Sequence, residues 1–262
     1  MLDFAFELPL AISGPAIILG LCLFAIGGLL FVRRQVLPRW RVWPTDSECT
    51  GAMVQSVMVF YGLALALIAV NVWQTYSDVS KIVSQEVTAL AALYRDVSGY
   101  PAPLREQLQQ ELRGYVSYTI HEAWPMQQRG HVPIAGIELM NHFQATLVTC
   151  EPASEGHKLL HAETLRAYNQ MLLARRMRLD AVGTGLPMVL WIVVAAGAVI
   201  SLSASFFFRV DEIRLHAVLV ILLAAFIGLV IFMTFALDRP FRGDLGISAE
   251  PYQLIYDQLM TS

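Results

Sequence analysis

Four stretches of the chain contain no Asp, Glu, Lys or Arg: Leu8 to Val32, Cys49 to Ser77, Ala181 to Phe208 and Leu215 to Leu237. A helix rises about 1.5 Å per residue and the apolar core of a bilayer is roughly 30 Å thick, so each stretch is long enough to cross it. The pattern predicts membrane spans over about 10–32, 53–75, 186–208 and 215–237. Four such runs in so short a chain leave too little polar surface to bury them in a soluble core. The first is read as a retained span rather than a secretory signal, because Asp3 and Glu7 precede it and no Lys or Arg does.

From Tyr76 to Asp180 the apolar positions keep a helical period. Val79, Ile82, Val83, Leu90, Leu93 and Val97 recur at spacings of three and four, with Glu86 in the same stripe. No Pro or Gly separates this stripe from the second span, so one long rod is expected to leave the bilayer and to stop at Gly99, Pro101 and Pro103. Leu104, Leu108, Leu112, Tyr115 and Thr119 mark the next helix, ending near Trp124-Pro125. Ile137, Met140, Phe143 and Leu147 mark another, and 151–154 reads as a turn. Leu160, Tyr168, Met171 and Leu172 then carry a last stripe through Arg175, Arg176 and Arg178 toward the third span. No strand-like alternation competes. The expected architecture is all-α and integral to the membrane: a transmembrane hairpin over 1–77, an extramembrane helical domain over 78–180, a second hairpin over 181–238 and a tail over 239–262.

Composition sharpens this reading. Only 15% of residues are charged, against roughly 25% in soluble domains. The deficit lies in the four spans, since 78–180 is charged at roughly one residue in five, close to the soluble norm. With 18 Lys and Arg against 21 Asp and Glu there is no basic excess, which excludes a nucleic-acid partner. Cys22, Cys49 and Cys150 form neither a disulfide framework nor a zinc spacing. Arginines in short loops are asymmetric: Arg33, Arg34, Arg39 and Arg41 follow the first span and Arg209 and Arg214 the third, against Arg239 and Arg242 on the other side. The positive-inside rule puts those two loops in the cytoplasm and the helical domain in the periplasm.

Little in the polar domain points to chemistry. His157 and His161 share a helical face near Glu155 and Glu163, but HKLLH lacks the glutamate of the zinc-protease motif and no third ligand is fixed. His121-Glu122 and His131 come with no nucleophile arrangement, phosphate loop or cofactor fingerprint. No enzyme activity, cofactor or metal is expected. Arg175, Arg176 and Arg178 read as a solvated anchor beside the membrane. Small residues in the spans, such as Gly20, Gly27, Gly197, Ser201 and Gly228, read as helix-packing surfaces. On the second span Gln55, Gly62, Ala66 and Ala69 form a small-residue seam. Val57, Tyr61, Ala64, Ile68 and Asn71 form a separate stripe with a polar mouth and an apolar middle. Such a stripe suits a pore that gates by dewetting, although Asn71 could equally cap or bridge helices. The absence of charge within the spans argues against proton pumping, voltage sensing and ion-coupled transport.

Specific residues then add a resemblance. Asp238-Arg239-Pro240-Phe241-Arg242-Gly243, followed by Ile247-Ser248-Ala249-Glu250-Pro251, resembles the end of a bacterial membrane family with a bestrophin-like domain. Phe60-Tyr61-Gly62, Asn71-Val72-Trp73-Gln74-Thr75-Tyr76 and Glu122-Ala123-Trp124-Pro125 are similar to other parts of it. The resemblance implies a link to bestrophins, pentameric ion channels whose second helix lines the pore, and hence a homo-oligomer in the bacterial inner membrane. The chain has no acidic cluster like the bestrophin calcium clasp, so calcium gating is not implied. Bestrophins also hold their helical insert in the cytosol, opposite to the arginine count. The tail motif itself reads as an interface anchor, with Pro240 ending the last helix, Arg239 reaching headgroups and Asp238 pairing with it; a pore-mouth role is the alternative. The expectation is an oligomeric ion channel, with anions as candidate cargo. The competing reading is a membrane-anchored sensor or scaffold whose helical domain binds a periplasmic partner.

Overall fold

A computed structural model of the chain describes residues 9–39, 46–208 and 212–260, with the side chains of 46–50 set aside. Asp3, Glu7, Arg41 and Arg209, and the side chains of Glu48 and Cys49, lie outside the described residues. The fold is all-helical. Helix α1 covers Leu10–Phe31 and runs into a π-helical turn, Val32–Val36. Helix α2 is a single element of 52 residues, Asp46–Val97, uninterrupted because no Pro breaks its hydrogen-bond ladder. Then follow α3 (Leu104–Tyr118), α4 (Trp124–Gln128), α5 (Ala135–Val148) and α6 (Glu155–Ala181). The chain ends in α7 (Met188–Ser205), α8 (Ile213–Leu237) and a short α9 (Glu250–Ile255).

Contacts divide the chain into two compact units, Met1–Gln74 with Gly185–Asp238, and Thr75–Thr184 with Arg239–Ser262. The first holds the apolar spans, except that α2 runs on from it into the second unit at Thr75. Four helices among the described residues are long and apolar enough to cross a membrane, over Leu10–Val36, Gly51–Val97, Met188–Ser205 and Ile213–Leu237. Their apolar windows are only 17 to 33% buried within the chain. An apolar surface left so open in a chain of this composition is wetted by lipid or covered by other copies, and the protein is a multi-pass membrane protein. Ala25 and Leu29 of α1, Ala198 and Leu202 of α7, and Val220 and Ala224 of α8 form the unit's core. Small residues set the spacing. A side chain at Gly28 would overlap the Phe206 ring, and one at Gly228 would come within 3.1 Å of the Ile18 backbone.

The second unit is built like a soluble domain. Val79, Val83, Leu90, Leu93 and Val97 of α2 pack with Leu108, Leu112 and Tyr115, with Met140 and Phe143, and with Tyr168 and Met171. Ser154 caps α6, its hydroxyl accepting the His157 N–H at 3.2 Å. The helix expected to end near Trp124-Pro125 instead continues to Gln128. A π-helical turn, Thr119–Ala123, shifts the ladder so that the Trp124 N–H reaches back to the Thr119 carbonyl, and Pro125 falls in the first turn of α4, where a missing N–H is tolerated.

The tail belongs to this unit. The Pro240 carbonyl accepts the Ile247 N–H at 2.8 Å, Gly243 takes a φ of 74° that favours glycine, and Phe241, Tyr252, Ile255 and Met260 are buried in the domain core. Arg175 and Arg178 are also buried, at 9% and 1% exposure, and only Arg176 of that trio is a solvated surface residue. They sit one and two turns beyond Met171 on the stripe that faces the core, which overrides the reading of all three as an anchor.

Candidate functional site

In the first unit the stripe proposed on the second span divides. Val57, Ala64 and Asn71, seven residues apart, are exposed on α2, whereas Tyr61 and Ile68 are half-buried. Tyr61 turns toward α7: its hydroxyl donates to the Val194 carbonyl at 3.1 Å and its ring occupies the space a side chain at Gly197 would need. Around this ring lies a cavity of about 240 Å³, lined by Gly62, Leu65 and Ala66 of α2, Ser201 of α7 and Ile227 of α8 among others. Gly62 and Ala66 of the small-residue seam therefore leave space rather than fill it. The Ser201 hydroxyl is buried without a hydrogen-bond partner.

The tail motif starts where α8 stops. Asp238 is 4% exposed and its Oδ1 accepts the backbone N–H of Leu186 at 2.6 Å, just ahead of α7. Within the second unit, Arg239 donates to the carbonyls of Gly183 and Thr184 at 3.3 and 3.5 Å. Each side chain thus ties down backbone in the segment that enters α7. Phe241 meets the Glu122-Ala123-Trp124-Pro125 motif: its ring is 5.6 Å from that of Trp124, edge-on, and the Trp124 Nε1–H donates to the Ile247 carbonyl at 3.1 Å. Two motifs more than a hundred residues apart form one aromatic cluster.

Behind Trp124 lies a buried polar centre. Arg178 donates from Nε to Glu86 Oε2 at 2.6 Å, from Nη2 to Glu86 Oε1 at 3.1 Å and from Nη1 to Gln127 Oε1 at 2.6 Å. The Tyr115 hydroxyl donates to Glu86 Oε1 at 2.9 Å. The guanidinium lies 5.6 Å from the Trp124 ring and 5.7 Å from that of Tyr252, within cation–π range. Burial opposes the Arg178 charge, but Tyr252, Glu86 and Tyr115 outweigh it and raise its pKa well above the usual value. Burial, then the Glu86 carboxylate, pushes the Tyr115 phenol up, and burial first does the same for Tyr252. The bidentate pair and its partners join α2, α3, α4 and α6. Its signals were present in the sequence: Glu86 interrupts an apolar stripe, and Arg178 follows Met171 by seven residues.

Elsewhere, the His161 ring Nδ1 is 2.8 Å from the Tyr100 hydroxyl, and no group of three or more His, Cys, Asp or Glu able to hold a metal occurs among the described residues.

Apolar spans and a separately cored helical unit define a multi-pass α-helical membrane protein. The bestrophin-like domain matches residues 19–252, and the chain belongs to that family. The fold is similar to that of a point variant of a bacterial bestrophin homolog from Klebsiella pneumoniae, with a TM-score of 0.69 and 9% identity over 94% of this chain and 98% of that one. It is also similar to a point variant of a membrane protein, at a TM-score of 0.67 and 11% identity over 94% and 97% of the two chains. No curated protein matches the chain.

Proposed function

We propose that this bestrophin-like protein is a homo-oligomeric ion channel whose α2 lines the conduction axis. Bestrophins are anion channels, which makes a small anion the expected cargo. The observation that carries the reading is the exposed, charge-free row of Val57, Ala64 and Asn71 on α2 in a chain of this family. In this reading these three residues face the axis, while Tyr61 and Ile68 stand behind them and set the position of α2 against its neighbours. A ring of copies, a pentamer by likeness to bestrophins, covers much of the apolar surface each copy leaves open. The tail residues Asp238, Arg239, Pro240, Phe241 and Gly243 serve the entry to α7 and the core of the helical unit rather than the pore.

For orientation, the arginines of the two short loops support a bacterial inner-membrane protein with its helical unit in the periplasm. Reporter fusions at the C-terminus test this, and activity confined to cytosolic reporters would reverse it. Conduction is tested by reconstituting the purified oligomer in liposomes and following chloride, potassium and sodium flux. Flux that changes on Ala64→Phe supports the assignment. A correctly assembled oligomer that passes none of the three ions removes it.

A further inference from the structure

Arg175 and Arg178 are one turn apart on α6 and both are buried, yet only Arg178 has a carboxylate. The Arg175 Nε is buried without a hydrogen-bond partner, and no Asp or Glu pairs with its guanidinium among the described residues. An uncompensated charge withdrawn from water is costly, and arginine cannot shed its proton to escape that cost. The surroundings make the imbalance worse. The Arg175 guanidinium lies against Gly136 in the first turn of α5, where a side chain would come within 3.0 Å of Nη2 and 3.2 Å of the Tyr118 ring. Helix α5 has 14 residues, and no side chain caps it, since Ile134 stands at the cap position. Its first-turn N–H groups carry the positive end of the helix dipole. The one acidic residue in that turn, Glu138, is solvent-exposed and forms no ion pair with Arg175. A buried guanidinium and an uncapped helix N-terminus, both positive, are therefore held together with no Asp or Glu ion-paired to either among the described residues.

We propose that a small inorganic anion, of the size of chloride or phosphate, binds between the Arg175 guanidinium and the first-turn N–H groups of α5 at Ala135 and Gly136. The guanidinium fork and the backbone donors supply the recognition, and Gly136 provides the room. This proposal does not depend on whether the protein conducts. The anion would link α5 to α6, as Glu86 links α2 to α6.

The test uses the full chain in detergent micelles, unfolded by heat in chloride, phosphate or gluconate at fixed pH and ionic strength. Chloride or phosphate is expected to raise Tm saturably over gluconate, by roughly 5 °C at a hundredfold excess over Kd. The chloride and phosphate arms tell which anion is preferred. Arg175→Gln is expected to abolish the rise, and Arg176→Gln, a substitution on the exposed neighbour, to keep it. No anion-dependent rise in the wild type overturns the proposal, as does a rise that persists in Arg175→Gln. Should Arg175→Gln fail to fold, crystals of the wild type grown in bromide decide. An anomalous peak beside Arg175 and Gly136 supports the site, and water alone at that position overturns it.

Discussion

The two units solve the same packing problem with opposite chemistry. In the membrane unit the helices are spaced by absences: Gly28 makes room for Phe206 and Gly197 for Tyr61, in a core of apolar side chains. In the helical unit the centre is occupied by a charge pair, Glu86 with Arg178, surrounded by Tyr115, Gln127, Trp124 and Tyr252. Burial in water-excluded apolar surroundings holds either kind of core, but they should fail differently. A core built on close approach is sensitive to added volume. A core built on compensated charge is sensitive to removal of one partner.

The largest effect expected is on the charge pair. Glu86→Leu leaves Arg178 buried without its partner and should cost about 3–5 kcal/mol, whereas Glu86→Leu with Arg178→Met should recover most of that loss. Thermal unfolding of both variants in detergent checks this, and a double variant no better than the single would show that the pair's shape matters more than its charge. Next comes added volume in the membrane unit. Gly197→Ala should destabilise by about 1–3 kcal/mol through its collision with the Tyr61 ring. The same substitution in a Tyr61→Ala background should be close to neutral, which a double-mutant cycle measures directly.

Asp238→Ala comes next: it removes the carboxylate that accepts the Leu186 N–H at the entry to α7, and about 1–2 kcal/mol is expected by analogy with helix caps. The smallest effect separates buried from surface charge. Burial, then the neighbouring Glu163, raises the Asp96 pKa. A carboxylate whose folded pKa is raised favours the folded state below its unfolded value, and that contribution is lost as pH climbs through the folded pKa. Asp96→Asn should therefore raise Tm slightly at neutral pH, and the gain should vanish below a pH of about 4. A Tm gain that is the same at both pH values would mean that charge is not its source.

Much of this architecture can be read from residue pattern. The spans follow from missing charge, and α2 follows as one rod from a stripe that no Pro or Gly interrupts between Gly62 and Gly99. The π turn before Pro125 was not legible, because a Pro inside an apolar period looks the same whether the helix ends or shifts its ladder. Helix α9 was hidden for a different reason: its buried residues, Tyr252 and Ile255, are too few to establish a period, and the ring that Tyr252 packs against, Trp124, lies more than a hundred residues away. The polar centre was half visible. Glu86 stood out within an apolar stripe, but arginines at the end of a helix beside a span look like headgroup anchors until the stripe they share with Tyr168 and Met171 is followed through. On the candidate pore stripe, spacing alone could not separate Val57, Ala64 and Asn71 from Tyr61, because the direction in which Tyr61 turns depends on a glycine in α7.

The seating of Phe241 and Tyr252 around Trp124 bears on how the protein is made. Residues 239–260 leave the ribosome only after all four spans, yet they supply two aromatic rings to a unit whose other helices were synthesised much earlier. Until then Trp124 lacks both neighbours and one aromatic face over Arg178 is open. The helical unit thus completes its fold only after the last span has been synthesised, and a product cut short before Phe241 would leave Trp124 without these two rings.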